Sequence, residues 1–191
     1  RVFIDGRLVG DRGRMGTTPE ATVYEMRSYE LPVESTGAPI ALRVDIAAFH
    51  HRDTGLDAPP VLGLSEPMRR WIALAWAKDL LFHAALLLLA ASTFVAFLFR
   101  RRDRASLYLS LAALSAIPGS AVLGYDNLLL IAFPGLGFPA MLTIQYLCSN
   151  FSVIFFLAYA RALFPNETPR LLFWALQAMM GTFFLVQAVA A

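Results

Sequence analysis

The chain has 191 residues, 58% of them hydrophobic and only 16% charged, with a formal net charge of +2. A soluble domain sits near about 45–50% apolar and about 25% charged, so this composition does not describe a single water-soluble globule. A net charge this small argues against a nucleic-acid partner, and the single cysteine, Cys148, excludes a disulfide framework and a thiolate metal site.

The charge is unevenly distributed. Residues 1–79 hold 10 basic and 11 acidic side chains, a net −1, whereas residues 80–191 hold 6 basic and 3 acidic, a net +3. A polar part is joined to an oily one. All but one of the basic residues are Arg, which reads as compositional bias. The chain opens on a strand-like run with no signal peptide before it, and is expected to be a piece of a longer protein.

Residues 1–67 read as an outer β-rich segment. Two short β runs flank Asp5-Gly6, the pair a type I′ hairpin turn requires because both central residues need positive φ. Gly10, Gly13 and Gly16 mark a loop, and residues 22–31 read as a strand closed by Pro32. Residues 40–46 alternate cleanly, with Ile40, Leu42, Val44 and Ile46 on one face and Ala41, Arg43 and Asp45 on the other. No helical period appears, so a partial β-sandwich is expected. His50, His51, Arg52 and Asp53 follow the best strand. They read first as a polar loop at a strand end, because adjacent histidines on a strand point to opposite faces, and second as a ligand-binding edge. No third metal ligand is placed by spacing. Residues 55–67 read as a loop leading to the membrane.

Residues 68–191 read as a helical bundle of about four spans, near 76–99, 106–124, 140–160 and 170–190. Residues 80–99 carry no formal charge and cover about 30 Å as a helix, the thickness of the hydrocarbon layer. Trp71 and Trp76 precede this run at the position of an interfacial belt, and Arg100, Arg101, Arg102 and Arg104 end it. Pro118-Gly119 should kink the second span. Residues 128–138, broken by Pro134, Gly135 and Gly137, read as an interfacial or re-entrant stretch. Thr168 and Pro169 read as the cap and first residue of the fourth span. Arg-rich joints on one side, against Arg69, Arg70 and Lys78 on the other, place the N-terminal segment outside the cell by the positive-inside rule.

Five residues stand out within or beside the spans: Lys78, Asp79, His83, Gln145 and Asn150. Lys78-Asp79 reads as an interfacial pair with its head groups in water, or as a coupling point between the outer segment and the bundle. An ionisable residue at the depth of His83 is a functional candidate by default, and a histidine hydrogen-bonded to a neighbouring helix is the equal alternative. Gln145 and Asn150 fit interhelical bonding first and a cavity lining second. No Gly-rich phosphate loop, metalloprotease motif or serine-hydrolase elbow occurs, so no catalytic residue, cofactor or metal is assigned.

The order of parts resembles a bacterial family, the seven-transmembrane receptors with diverse intracellular signalling modules (7TMR-DISM). Three stretches carry the likeness: residues 2–10 with the Asp5-Gly6 hairpin, residues 29–32 with 40–44 and 55–63, and residues 97–108 with Phe164-Pro165. The family usually has Asn where this chain has Asp5. The resemblance implies the end of a jelly-roll sensor domain and the first four of seven helices, in the bacterial cytoplasmic membrane. It also implies a kinase, diguanylate cyclase or similar output module in the full-length chain. On this reading the chain is a signal-transducing receptor and is not itself an enzyme. Its expected partners are the lipid bilayer, a small-molecule or carbohydrate ligand, the output module and a second copy of the chain. A transporter or membrane enzyme with an accessory outer domain is the alternative. That reading predicts His83, Gln145 and Asn150 around one pocket.

Overall fold

The computed structural model describes residues 1–11, 13–14, 16–18, 21–23, 30–34, 37, 39–46 and 60–190. The chain divides into two compact units, Arg1–Ile72 and Ala73–Ala191.

The first unit holds a sheet of three strands, β1 (Val2–Ile4), β2 (Arg7–Gly10) and β3 (Leu42–Val44), in the order β2-β1-β3. Both pairings are antiparallel, with Ile4 opposite Arg7 and Phe3 opposite Arg43. Asp5 and Gly6 both have positive φ, 50° and 78°, as a two-residue I′ turn demands. Asp5 also holds β3. Its N–H donates to the Ala41 carbonyl at 2.9 Å, and its Oδ1 accepts the Ala41 N–H at 2.9 Å. At the far end the Asp45 N–H donates to the Arg1 carbonyl at 2.9 Å, so the alternating run is hydrogen-bonded beyond its three strand residues. The Arg43 guanidinium lies 4.2 Å from the Phe3 ring centre.

Among the described residues this is one sheet, not two facing sheets. Leu42 and Ile46, on the apolar side of the alternation, are half exposed. Val23 pairs with Arg14 as an isolated bridge, and positions 24–29 of the strand expected over 22–31 lie outside the described residues.

Five helices follow: α1 (Ser65–Phe99), α2 (Arg104–Ala121), α3 (Leu128–Ala132), α4 (Phe138–Leu163) and α5 (Arg170–Ala190). The chain is therefore mostly helical. Residues 65–67, expected as loop, begin α1. The first helical hydrogen bond runs from the Met68 N–H to the Leu64 carbonyl, so Pro67 sits in the first turn, where no N–H is needed. Helix α5 covers Arg170–Ala190, the expected span, but the Pro169 carbonyl accepts its first bond, from Phe173, so Pro169 rather than Thr168 takes the cap position. The Thr168 hydroxyl donates backwards, to the Phe164 carbonyl. Residues 128–138 resolve into the short helix α3, capped by Asn127, and a turn before α4.

Two helices, Ser65–Phe99 and Pro139–Leu163, are long and apolar enough to cross a membrane. Four such helices were expected. Helix α2 opens on Arg104, carries four serines and is only 18 residues long, and the described apolar stretch of α5, Phe173–Val186, is shorter still. The apolar surface of α1 faces outward, with Leu81, Leu88 and Phe99 largely exposed. Half of the buried described residues are small ones on α2, namely Ser110, Ala112, Ala113, Gly119 and Ala121, and the most deeply buried side chain is Met141 of α4. Small residues let helix backbones approach closely, which is how helices associate when lipid removes the hydrophobic drive.

Hydrogen bonds and ring contacts between helices fix their directions within the second unit. Ser110 donates to the Ala90 carbonyl at 2.8 Å, joining α2 to α1. Ser152 donates to the Ala112 carbonyl at 3.0 Å, joining α4 to α2. Gln177 donates to the Ile154 carbonyl at 3.0 Å, and the Arg161 guanidinium lies 4.3 Å from the Phe173 ring centre, joining α5 to α4. Successive long helices run antiparallel. The α1 C-terminus, α2 N-terminus, α4 C-terminus and α5 N-terminus thus share one end.

Candidate functional site

The other end of the helical unit carries a polar node built from α1, α2 and the turn after α2. Asp79 and His83 lie one turn apart on α1, so both face the same neighbour. The Asp79 carboxylate accepts the backbone N–H of Tyr125 through Oδ2 at 2.6 Å. A contact this short fits a charge-assisted bond. Gly124 makes room for it, since a Cβ at that position would stand 2.7 Å from Asp79 Oδ2.

His83 is held at both ring nitrogens. Nδ1 lies 2.6 Å from the Asp79 backbone carbonyl, and Nε2 lies 3.1 Å from Ser120 Oγ on α2. A carbonyl accepts only, so Nδ1 carries the proton in the neutral ring. Nε2 then accepts from the Ser120 hydroxyl. The Ser120 hydroxyl also lies 2.8 Å from the Ala116 carbonyl and 3.1 Å from that of Ile117, within its own helix.

The arrangement differs from a hydrolytic triad. The Asp79 carboxylate points to Tyr125, and the imidazole is oriented by a backbone carbonyl. Among the described residues no group of three His, Cys, Asp or Glu side chains could hold a metal ion.

The other residues singled out from the sequence fall elsewhere. Lys78 is exposed, and among the described residues no ion pair joins it to Asp79. Gln145 and Asn150 are half-buried on α4. The Gln145 backbone carbonyl lies 3.4 Å from where a Cβ on Gly119 would stand, so this stretch of α4 faces α2 through Gly119. His50, His51, Arg52 and Asp53 lie outside the described residues. Arg100, Arg101, Arg102 and Arg104 are exposed at the opposite end. Between them Asp103 caps α2, accepting the Ser106 N–H at 3.3 Å and the Ser106 hydroxyl at 2.6 Å. The Ser106 hydroxyl, followed by its N–H, holds the Asp103 carboxyl below the ordinary carboxylate range.

Ser120, Gly124 and the Tyr125 N–H complete the node and were not singled out from sequence. One signal for them was present. Residues roughly equidistant from the Arg101-Arg102 turn meet in an antiparallel hairpin, and this pairs His83 with Ser120 and Asp79 with Tyr125.

No family model, curated protein or solved structure matches this chain.

Proposed function

We propose that this chain is the membrane-embedded and adjoining outer part of a signal-transducing receptor of the bacterial cytoplasmic membrane. A small molecule or carbohydrate binds the outer β-rich segment, of jelly-roll type by the 7TMR-DISM resemblance. The bundle passes the signal to a cytoplasmic output module of the full-length protein. Helices α2 and α5 complete four spans once further helices pack on them. The Arg-rich end lies in the cytoplasm and the Asp79–His83 node lies near the outer surface.

The observation that carries this reading is the course of α1. It is one uninterrupted helix of 35 residues from Ser65 to Phe99, and it is fastened to α2 and the following turn through Asp79 and His83. A displacement applied at its N-terminal end would be felt at that node. A ligand acts by differential affinity for two arrangements of the node.

The transporter reading is less well supported. His83 meets α2 at Ser120, whereas Gln145 lies opposite Gly119. Consecutive helix positions point about 100° apart, so His83 and the α4 backbone at Gln145 meet α2 at different faces.

The test compares full-length protein with a variant lacking residues 1–60, which leaves α1 intact, across candidate ligands. The output should lose its ligand response in the truncated form. Identical ligand-dependent output from both forms would overturn the receptor assignment.

A further inference from the structure

The turn between α1 and α2 places four arginines in five positions, with Asp103 as the one acid among them. That acid offsets only one of the four charges, and Arg100 acts on its carboxyl from nearby without closing an ion pair. Its two oxygens are engaged by the Ser106 N–H and hydroxyl at the start of α2, and among the described residues no ion pair joins Arg100, Arg101, Arg102 or Arg104 to any carboxylate. All four side chains are exposed. Arg161 and Arg170 belong to the same end, since the helices alternate in direction.

The residues just before the cluster are apolar and also exposed. Phe99 is 86% exposed and Leu98 43%. A band of guanidinium groups therefore borders a band of uncovered hydrocarbon. The occupant that satisfies both is an amphiphile with an anionic phosphate head and an acyl chain. Guanidinium binds phosphate oxygens two at a time, and the neighbouring chain would lie along Leu98 and Phe99. A soluble acidic partner would answer the charge and leave the apolar band uncovered.

We propose that residues 100–104 form a binding surface for anionic phospholipid headgroups, recruiting such lipids to the cytoplasmic end of α1 and α2. This rests on the membrane reading above, and one experiment separates the two. The full chain carrying Trp71→Phe, Trp76→Phe, Trp174→Phe and Phe99→Trp has one indole, beside the cluster. It is reconstituted into vesicles of phosphatidylcholine with a minor fraction of phosphatidylglycerol, and the acyl chains of one lipid or the other are brominated to quench that indole.

Each arginine near an anionic surface favours the charged lipid by roughly fivefold. Brominated phosphatidylglycerol should therefore quench several-fold more than its bulk fraction predicts. High salt should shrink the excess. Replacing all four arginines by Gln should abolish it, and replacing them by Lys should keep most of it. A companion protein keeping only Trp71, at the other end of α1, should show no excess. Equal quenching by the two lipids, an excess that survives the Gln replacements, or one just as large at Trp71 would overturn the lipid assignment. If the Gln variant does not fold, an excess that is insensitive to salt in the protein with its arginines intact overturns it equally. No quenching by either lipid would overturn the membrane reading itself.

Discussion

His83 Nε2 and Ser120 Oγ stand 3.1 Å apart across the contact between α1 and α2, and the two residues depend on that contact unequally. Ser120 has other acceptors within its own helix, at Ala116 and Ile117. His83 Nε2 has no second hydrogen-bond partner among the described residues. Ser120→Ala should therefore cost more than His83→Phe. Each loss is expected near about 0.6–1 kcal/mol, the scale of an interhelical hydrogen bond. Detergent-unfolding titrations of the two single variants and the double variant check this, and the double variant should cost less than the sum of the singles.

Gly124 is the second test of the node. A methyl group there would meet Asp79 Oδ2 at 2.7 Å. The carboxylate would have to swing away, losing its bond to the Tyr125 N–H. Gly124→Ala should cost about 1.5–3 kcal/mol, the range for a hydrogen bond to a charged group. In an Asp79→Ala background the same change should cost little. A cost equal in both backgrounds would show that Gly124 is needed for some reason other than the carboxylate.

Gly119 tests the seam between α2 and α4. A Cβ there would stand 2.8 Å from Ser149 Oγ, 3.3 Å from the Ser149 N and 3.4 Å from the Gln145 carbonyl. The hydroxyl can rotate away, but the two backbone atoms move only if α4 moves. Gly119→Ala should destabilise by about 1–3 kcal/mol, and Ser149→Ala should restore only part of the loss. Full rescue by Ser149→Ala would mean that the backbone approach is looser than these distances indicate.

Asp103 gives the pH dependence its sign. Its carboxyl is held below the ordinary range by Ser106, so the folded state binds its proton less readily than the unfolded chain does. The stabilisation is complete above the unfolded carboxyl range and is lost as pH falls through the lowered folded value. The stability gap between the wild type and Asp103→Asn should be widest near neutral pH and close on acidification. Unfolding titrations of the two proteins from pH 7 downward check the direction, and a gap that widened toward acid would contradict it.

The parts of the fold legible in the sequence are those set by local rules. Asp5-Gly6 announced its turn because only a few residue types tolerate positive φ. Residues 80–99 announced a helix long enough to cross a membrane because no formal charge interrupts the run. What local rules do not determine came out differently. The first turn of α1 was hidden by Pro67, which is a helix breaker inside a helix and harmless in its first turn. Helix α2 was expected as a second span, and its Ser110, Ala112, Ala113, Gly119 and Ala121 turn inward, because which side a small residue faces depends on partners far along the chain. The node was half visible for the same reason. Asp79 and His83 are conspicuous in an apolar context, whereas Ser120 and Gly124 acquire meaning only once the hairpin register around the Arg101-Arg102 turn is known.

The last prediction separates the two jobs of Asp5. Its backbone takes positive φ in the hairpin turn, and its side chain accepts the Ala41 N–H at 2.9 Å to hold β3 against β1. Asn tolerates the same φ and offers a carbonyl oxygen in place of the carboxylate. Asp5→Asn should therefore leave the three-stranded sheet nearly unchanged. Asp5→Ala loses both the local preference for positive φ and the acceptor, and should destabilise the first unit by about 1–3 kcal/mol. Amide hydrogen exchange at Ala41 reads this directly. Protection should persist in Asp5→Asn and fall in Asp5→Ala, and equal protection in the two variants would mean that the Ala41 N–H does not rely on the Asp5 side chain.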